Sequence, residues 1–452
     1  MPKPSDVRVR DARIEIEHLS FRTPLKFGGR IVENYQVVNI RLNVETRDGR
    51  RGTGMGSMPI GHIWAWPTTI DPEFTQQAMR QLTEDLTSRV MSNNDYLHPL
   101  DHGVRLVESL SDRADHVTQQ LELKESMPRL AALVASSAVD AAIYDAFGHA
   151  LGLNVYHTLG PDFVDRDLST YLSKDFEGEF LDRYTLREPK ATMPLYHLVG
   201  ALDPLTPADV AKPIGDGLPE TLGEWITFNG LTHLKIKLAG DQLDWDVDRV
   251  ISVEKVAFQS QQARGCRQWY YSLDFNEKCQ SMEYVQAFLD RVQEQSPFAL
   301  QRVQYIEQPT HRDLKRHGIP VHAVAAIKPV VIDESLVDFE SLLRARELGY
   351  SGVALKACKG ETESLLMAAA AQKFGMFLCV QDLTCPGASF LHSGGIAARI
   401  PGIAALEGNG RQYCPTGNKA WVDRFPTMFQ IKDGNVGTGC LTLPGLGHTT
   451  VS

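Results

Sequence analysis

The feature that most constrains the fold of this chain is a series of short apolar runs that alternate with helical patterns from about residue 168 onward. Each run is rich in β-branched or aromatic residues, which favour strands, and amphipathic helical patterns such as 338–348 and 361–374 lie between the runs. The eight runs are 168–172, 233–238, 269–274, 303–307, 330–333, 352–356, 376–380 and 403–407. Eight strand–helix units predict an α/β fold with a parallel (β/α)8 barrel of TIM type.

The first part of the chain has a different pattern. Residues 7 to about 60 alternate between apolar and polar side chains as strands do, with a turn at Asp48 and Gly49. Helical patterns follow at 72–91 and 127–151, and Gly152 is placed to end the second helix. Strands followed by helices, without alternation, predict a separate α+β domain in front of the barrel.

One interval is too long for a minimal barrel. About sixty residues separate the runs at 168–172 and 233–238, and several prolines are scattered through the interval. We therefore expect an insertion at about 173–230. A loop of this length is typical of a functional lid, a contact between subunits or a disordered segment.

Charge and composition disfavour several classes of function. The formal net charge of −10 argues against a nucleic-acid partner or an anionic membrane, because both favour a basic surface. No stretch approaches 18 uncharged apolar residues, and the N-terminus lacks the apolar core of a secretory signal, so we expect no membrane segment. The seven cysteines form no CxxC pair, which disfavours a zinc site or a disulfide framework and favours a cytoplasmic location.

Three carboxylates stand at the ends of three consecutive predicted strands. Asp274, Glu307 and Asp333 each directly follow an apolar run. The carboxyl ends of barrel strands meet on one face, where such barrels build their active sites. Three carboxylates there would repel one another unless a cation binds them, and all-oxygen ligands select Mg²⁺, with Mn²⁺ also possible. Taken singly, any one of these acids is equally typical of a capped or ion-paired strand end.

Three lysines are placed to act beside these acids. Lys235 and Lys237 lie on one face of the second strand, because side chains alternate there with period two, and Lys356 ends the sixth strand across the barrel. Two ammonium groups on either side of a metal site predict proton transfer to and from carbon, with the lysine pKa lowered by the cation and the second lysine. Outside such a site, Lys235 and Lys237 would indicate a solvated edge strand, and Lys356 a surface position.

At these residues the chain resembles the enolase superfamily, and within it the mandelate racemase/muconate lactonizing enzyme family. The resemblance extends over most of the chain. It rests on Lys235-Ile-Lys237, Asp274-Phe-Asn276, Ile306-Glu-Gln-Pro309, Ile332-Asp-Glu-Ser335 and Lys356, on the helical segment 138–148 with residues 153–160 after it, and on Pro444-Gly-Leu-Gly447.

The resemblance implies a modified barrel at 131–410 and a capping domain at 1–130, which residues 411–452 join from the other end of the chain. It implies that Asp274, Glu307 and Asp333 are the Mg²⁺ ligands. Lys237 and Lys356 would be the acid/base pair on opposite faces of the substrate, and Lys235 would contact the substrate carboxylate. A homo-oligomer is also expected.

The chemistry that the resemblance implies is abstraction of the α-proton of a small carboxylate substrate through a metal-stabilised enediolate. Racemisation, epimerisation or cycloisomerisation would follow. The alternative is a lyase, an acid-sugar or related dehydratase that uses the same site to expel a group from the β-carbon.

The lysines also indicate a subgroup. Relatives of mandelate racemase carry a histidine on the seventh strand, whereas no histidine occurs here between His322 and His392, and the sixth strand carries Lys356. The chain therefore resembles the lysine–lysine subgroup, which includes muconate cycloisomerases, o-succinylbenzoate synthases and dipeptide epimerases.

The sequence departs from the family where a substrate would be contacted. Residues 381–387 replace the usual Glu-Ser-Gly-like turn, and Glu407-Gly-Asn409 stands where dipeptide epimerases carry Asp-x-Asp. The front segment 54–67 falls where the family places a loop over the substrate, although a hairpin end with aromatic packing would explain it as well. We predict substrate contacts at Asn276, Asp382, Glu407, His62 and Trp64, and the substrate itself stays open.

Two functions of other classes are less well supported. A barrel metallohydrolase would normally carry histidine ligands such as His-x-His on an early strand, and the predicted strands contain none. A binding protein without catalysis on the same scaffold would have no need of the three lysines and three acids.

Overall fold

The structure is a computed structural model that describes residues 2–27 and 30–449. The chain opens with three antiparallel strands in the order β1–β2–β3, and four helices follow. These elements are β1 (Val7–Phe27), β2 (Arg30–Thr46), β3 (Arg51–Pro59), α1 (His62–Ala65), α2 (Pro72–Ser92), α3 (Pro99–Gln120) and α4 (Arg129–Leu151). Both predicted helices are present: Asp71 caps α2 by accepting from Glu73 N, and α4 ends at Gly152, whose φ of 67° is left-handed.

Small residues let α4 pack closely on the front sheet. Gly52, Gly54 and Gly56 alternate along β3, and a Cβ at any of them would collide with the backbone of α4. The helix meets these glycines with a stripe of alanines at Ala138, Ala142, Ala146 and Ala150. By length and composition α4 could cross a membrane, but its apolar stretch is completely buried inside the protein, as in the core helix of a folded domain.

Eight parallel strands form the closed barrel. They are β4 (Met193–Val199), β5 (His233–Lys237), β6 (Tyr270–Asp274), β7 (Val303–Glu307), β8 (Val330–Ile332), β9 (Gly352–Leu355), β10 (Phe377–Val380) and β11 (Ile403–Glu407). Each strand pairs with the next, and β11 pairs with β4, which closes the sheet. The barrel and the antiparallel front sheet confirm the predicted fold class.

Helices connect the barrel strands on the outside. They are α5 (Leu222–Asn229), α6 (Leu243–Ala263), α7 (Met282–Gln295), α8 (Pro297–Arg302), α9 (Leu314–His317), α10 (His322–Ala325), α11 (Phe339–Glu347), α12 (Glu361–Lys373) and α13 (Ala388–Arg399). The helices predicted at 338–348 and 361–374 correspond to α11 and α12.

The predicted first barrel strand is wrong. Residues 168–172 contain a short 3₁₀ turn, because Asp167 accepts hydrogen bonds from Ser169 N and Gly178 N and curls the chain locally. The first strand is β4, inside the interval expected to be an insertion. Pro194 made that stretch read as a loop, but it lies at the start of β4, where a missing N–H is tolerated. The loop after the first strand is therefore 200–221 rather than 173–230.

The residues after β11 return to the front domain. They form α14 (Gly410–Tyr413), α15 (Lys419–Val422), α16 (Pro426–Phe429) and β12 (Asn435–Val436), which is antiparallel to β4. Leu446 N donates to Asp145 of α4 at 2.9 Å. Because α4 also contacts the barrel, where Thr362 N donates to Asp140 at 2.8 Å, the domain boundaries near 130 and 410 stay a proposal.

Candidate active site

The predicted lysines and acids gather at the carboxyl end of the barrel. Lys237, Asp274 and Glu307 are the last residues of β5, β6 and β7, and the register pairs them in that order across the three strands. Asp333 and Lys356 directly follow β8 and β9. All five side chains are buried. Parallel strands that end at one level therefore bring together groups that are far apart in the chain.

Lys235 is the central cation of this cluster. Its Nζ donates to Glu307 at 2.8 Å and to Glu407 at 3.2 Å, and lies 3.3 Å from Asp274 Oδ2. Burial alone would lower the pKa of Lys235, but the carboxylates of Glu307, Glu407 and Asp274 raise it well above the ordinary value. Lys235 therefore stays protonated and neutralises acids from three strands.

Lys237 lies at the edge of the cluster that faces a cavity. It forms an ion pair with Asp274, and its Nζ donates to Asn276 Oδ1 at 2.9 Å. Asn276 holds this position with a left-handed φ of 48°. Both residues line a cavity of about 400 Å³, whose walls include Leu202 and Trp245. That volume is in the range of small-molecule sites.

Lys356 is enclosed more tightly. Its Nζ lies 2.9 Å from Asp333 Oδ2, and the indole ring of Trp64 covers it with its centroid 4.3 Å from Nζ. Burial opposes the charge, but the carboxylate of Asp333 raises the pKa of Lys356 well above the ordinary value. The expectation that the lysine pKa values are lowered therefore does not hold for Lys235 and Lys356 in this arrangement, because the carboxylates dominate.

Lys359 is a member of the site that the sequence analysis missed. It lies on the turn after β9, and its Nζ donates to the Asp333 carbonyl at 2.6 Å and to Asp333 Oδ1 at 3.3 Å. Burial lowers the pKa of Lys359. A second lysine three residues after Lys356 was the available signal, but nothing local showed that its side chain turns inward.

The pKa values of the three carboxylates shift in different directions. Burial raises the pKa of Glu307 well above its ordinary value, and the charge of Asp274 adds to this effect. For Asp333, the ammonium groups of Lys356 and Lys359 overcome burial and lower the pKa to about 2. For Asp274, Lys237 and Lys235 lower the pKa in the same way.

The arrangement and chemistry of the three carboxylates bear on whether they can bind a metal ion. Within residues 2–27 and 30–449, no three His, Cys, Asp or Glu side chains are arranged as they stand to hold a metal ion. At Asp274, Glu307 and Asp333 the oxygens instead face the ammonium groups of the lysines. Buried carboxylates from three neighbouring strands nevertheless supply the hard oxygen donors that Mg²⁺ or Mn²⁺ prefers, so the donor set fits such an ion.

Two of the predicted substrate contacts come from the front domain. Trp64 lies over the barrel end, where its Nε1 donates to Glu334 Oε1 at 2.9 Å and its carbonyl accepts from Arg312 at 3.1 Å. His62 is buried beside it, and burial lowers its pKa to about 4. Trp64 uses its N–H within the protein, so what it presents to the site is the ring face over Lys356. The sequence analysis did not identify Glu334 as a residue of the site, just as it did not identify Lys359.

The two acidic candidates for substrate contact form hydrogen bonds within the barrel end. Asp382 accepts from the backbone N–H groups of Thr384, Cys385 and Asn409, which shapes the turn after β10. Glu407 accepts from Lys235 and from the Asn409 amide at 2.7 Å. Neither lines the cavity at Lys237, and their contact with a substrate stays a prediction.

Two glutamines that the sequence analysis passed over support the acids. Gln308 accepts from Asp333 N at 2.9 Å and donates to Ser335 at 2.8 Å, which orients the turn that carries Asp333. Gln381 donates to Glu307. Gln308 directly follows Glu307 in the segment Ile306-Glu-Gln-Pro309, and Gln381 is the first residue of the segment 381–387, which differs from the family. Their positions in the sequence could therefore have indicated both residues.

Solved structures with the same fold were found over nearly the whole chain. A muconate lactonizing enzyme from Pseudomonas fluorescens is 17% identical, with 98% of this chain and 96% of that chain covered and a TM-score of 0.60. The L-Ala-D/L-Glu epimerase from Bacillus subtilis is 15% identical, with 97% and 98% covered and a TM-score of 0.63. A dipeptide epimerase from Enterococcus faecalis is 16% identical, with 97% and 99% covered and a TM-score of 0.62.

At these identities the solved structures show the fold alone. A search of curated proteins gave no match. The family model described as enolase C-terminal domain-like matches residues 219–450, which is more than half of the chain and includes the lysine and carboxylate positions from β5 to β11. The chain therefore belongs to the enolase superfamily of enzymes, in the family that this carboxy-terminal domain defines.

Proposed function

We propose that this enzyme removes the α-proton of a small carboxylate substrate in a Mg²⁺-dependent reaction that ends in racemisation, epimerisation or cycloisomerisation. The observation that carries the proposal is the placement of Lys237 and Lys356. They stand at the carboxyl ends of β5 and β9, which are four strands apart in a closed barrel of eight and so lie on opposite sides. A substrate between them presents one face to each ammonium group.

The solved relatives support the same class of reaction. The Pseudomonas fluorescens enzyme was determined with muconolactone, the Bacillus subtilis epimerase with its substrate, and the Enterococcus faecalis epimerase with Mg and the dipeptide L-Leu-L-Tyr. These ligands are small molecules with a carboxylate. We infer that the present chain also acts on a small carboxylate, and that it uses Mg²⁺, with Mn²⁺ as a possible substitute.

Asp274, Glu307 and Asp333 are the residues that would hold the cation. When bound, it supplies positive charge next to the substrate carboxylate, which offsets the charge that develops there as the α-proton leaves. The protein's own part is to keep Lys235 protonated between Glu307 and Glu407, which limits repulsion among the acids.

The two outer lysines would handle the proton. A lysine can accept a proton only as the neutral amine, so one of Lys237 and Lys356 must be neutral when the other is charged. The neutral Nζ takes the α-proton from one face of the carbon, and the charged Nζ returns a proton to the opposite face. Trp64 covers Lys356 and excludes water from that side, whereas the cavity at Lys237 leaves room for the substrate.

A second candidate is dehydration of an acid sugar or related hydroxy acid. It would use the same residues, with a group leaving from the β-carbon after the α-proton is removed. A cytoplasmic location and a homo-oligomeric state also stay predictions from the sequence.

Deuterium exchange tests the proposal. Acid sugars, N-acyl amino acids and dipeptides are incubated with enzyme and Mg²⁺ in D₂O, and the α-proton signal is followed by NMR. Lys237→Ala and Lys356→Ala should each lose general acid/base catalysis, typically 10²–10⁴-fold. In a racemase each variant should still exchange the α-proton of one stereoisomer. Full turnover in both variants would show that the lysines are not the acid and base.

A further inference from the structure

A second cavity lies next to the cavity at Lys237. Its volume is about 380 Å³, and it adjoins the end of β4 and the loop 200–221. Leu202, whose side chain is half exposed, is part of the wall of both cavities. Most of its walls are apolar; they include Pro24, Leu198, Val199, Pro204, Val210, Leu222 and Trp225. The proposed chemistry does not use this loop.

The loop is fastened to the front domain. Arg22 on β1 forms a bidentate pair with Asp216, at 2.5 and 2.8 Å, and also donates to the Leu218 carbonyl at 3.2 Å. The Arg22 side chain is only 6% exposed. A bidentate pair fixes orientation as well as distance, and here a buried guanidinium reaches the exposed carboxylate of Asp216. The outer wall of the cavity is therefore held in place by the front domain and the loop together.

The floor of the cavity carries one hydrogen-bond donor with a defined position. Arg411 Nη2 lies 2.6 Å from His197 Nδ1, and a guanidinium can only donate, so Nδ1 is the acceptor. Burial and the Arg411 charge lower the pKa of His197 well below its ordinary value, so the ring is neutral and its proton is on Nε2. Within the described chain no acceptor bonds that N–H, although His197 is buried and lines the cavity.

The charged groups around the cavity are mostly engaged elsewhere. Arg22 pairs with Asp216, and Glu220 accepts from the backbone N–H groups of Ile214 and Gly215. Asp203 accepts from Tyr413 and Gly200 N. Lys212 also lines the cavity, but it is exposed to solvent. A buried charged ligand would therefore find few partners inside the cavity, whereas an apolar group with one acceptor oxygen would match the walls and the His197 N–H.

We propose that this cavity binds the distal end of the substrate, and that this end is a mainly apolar group with one oxygen that accepts from His197 Nε2. The proposal rests on the proposed function, because the carboxylate end is assigned to the metal and lysine site. An apolar cavity of about 150 Å³ holds a benzene ring. The volume here is sufficient for a ring and a short linker that passes Leu202.

Binding experiments with three carboxylates test this assignment. Acetate has no tail, 4-phenylbutanoate has an apolar tail, and 4-oxo-4-phenylbutanoate adds a carbonyl oxygen. Affinities are measured by titration calorimetry on the chain of 452 residues with Mg²⁺, and saturation-transfer NMR reports whether the ring protons contact the protein. Both ring acids should bind roughly 10-fold or more tighter than acetate, because a buried aromatic group is worth that much. The ketone should bind up to about 10-fold tighter still, as expected for one hydrogen bond.

Two variants and one matched control separate the parts of the cavity. His197→Asn keeps an acceptor for Arg411 but lacks the Nε2–H, so it should lose the advantage of the ketone. His233→Asn, on the neighbouring strand and away from this cavity, is the matched control and should keep the advantage. Thr23→Trp should fill the cavity from β1 and weaken both ring acids without changing acetate.

The outcomes distinguish this proposal from the proposed function. If all three acids bind with equal affinity, or if the ketone keeps its advantage in His197→Asn, the cavity assignment is wrong while the carboxylate site stands. If Mg²⁺ promotes binding of none of the three acids, the proposed function is contradicted and the cavity assignment falls with it.

Discussion

Replacing Lys235 by Met should destabilise the protein more than replacing any other lysine of the site. Lys235 contacts Glu307 at 2.8 Å, Glu407 at 3.2 Å and Asp274 at 3.3 Å, and all four side chains are buried. Removing one partner of a buried ion pair typically costs about 3–5 kcal/mol, because the remaining charge is uncompensated. Such a loss is a large part of a typical unfolding free energy of about 5–15 kcal/mol.

Lys356→Met should behave differently. Asp333 would keep a second cation, because Lys359 Nζ lies 3.3 Å from Asp333 Oδ1 and also binds its carbonyl at 2.6 Å. We therefore expect the free energy of unfolding to fall by only about 1–3 kcal/mol, the cost of a lost buried hydrogen bond. The variant should be folded and yet lose about 10²–10⁴-fold in reaction rate, since its acid/base group is gone.

Thermal denaturation followed by circular dichroism would rank the variants, and α-proton exchange in D₂O would measure their activity. Lys315→Met is a suitable control, because Lys315 forms a solvent-exposed pair with Glu340, and exposed pairs contribute little to stability. If Lys356→Met unfolds at as low a temperature as Lys235→Met, Lys359 does not compensate for the loss. Undiminished exchange in Lys356→Met would refute the catalytic role.

Three further predictions follow from the site and the buried histidines. Chelation with EDTA should abolish α-proton exchange, and added Mg²⁺ should restore it. Glu307→Gln should weaken Mg²⁺ binding in calorimetry, and an unchanged affinity for Mg²⁺ would show that Glu307 is not a ligand. Trp64→Leu should lower stability by about 1–3 kcal/mol in thermal denaturation, because Glu334 loses the indole N–H at 2.9 Å, and an unchanged melting temperature would contradict this. Burial lowers the pKa values of His62 and His233 from 6.5 to about 4. Between pH 6.5 and 4 the unfolded state therefore binds more protons at each of these residues, and each contributes stability that rises with pH by about 3 kcal/mol across the window. His62→Gln and His233→Gln should each remove that contribution from the pH dependence of the melting temperature, and a profile identical to that of the unsubstituted protein would be inconsistent with neutral buried rings.

Much of the barrel could be predicted from local patterns. Seven of the eight predicted strands match strands of the structure. The exception was the first strand, because β4 contains Pro194 and lies in a proline-rich stretch, whereas residues 168–172 have strand-like composition but follow the capping side chain of Asp167. Strand propensity describes a short segment by itself. In residues 168–172 the hydrogen bonds of Asp167 outweighed it, and in β4 pairing with strands distant in the sequence did so.

The sequence by itself determined which residues could meet at the barrel end. Period two places Lys235 and Lys237 on one face of a strand, and the parallel direction of the strands brings Asp274, Glu307 and Asp333 to one level. Both follow from the geometry of the backbone, which is the same in every strand of this kind.

Only the tertiary structure decided how these groups are paired and what surrounds them. Lys359 turns inward to Asp333, Trp64 covers Lys356, and His197 lines a cavity between β4, the loop 200–221 and the front domain. Trp64 and Glu334 are 270 residues apart in the chain. Such contacts depend on close packing between elements that are distant in sequence, and packing at that distance leaves no periodic signal in either local segment.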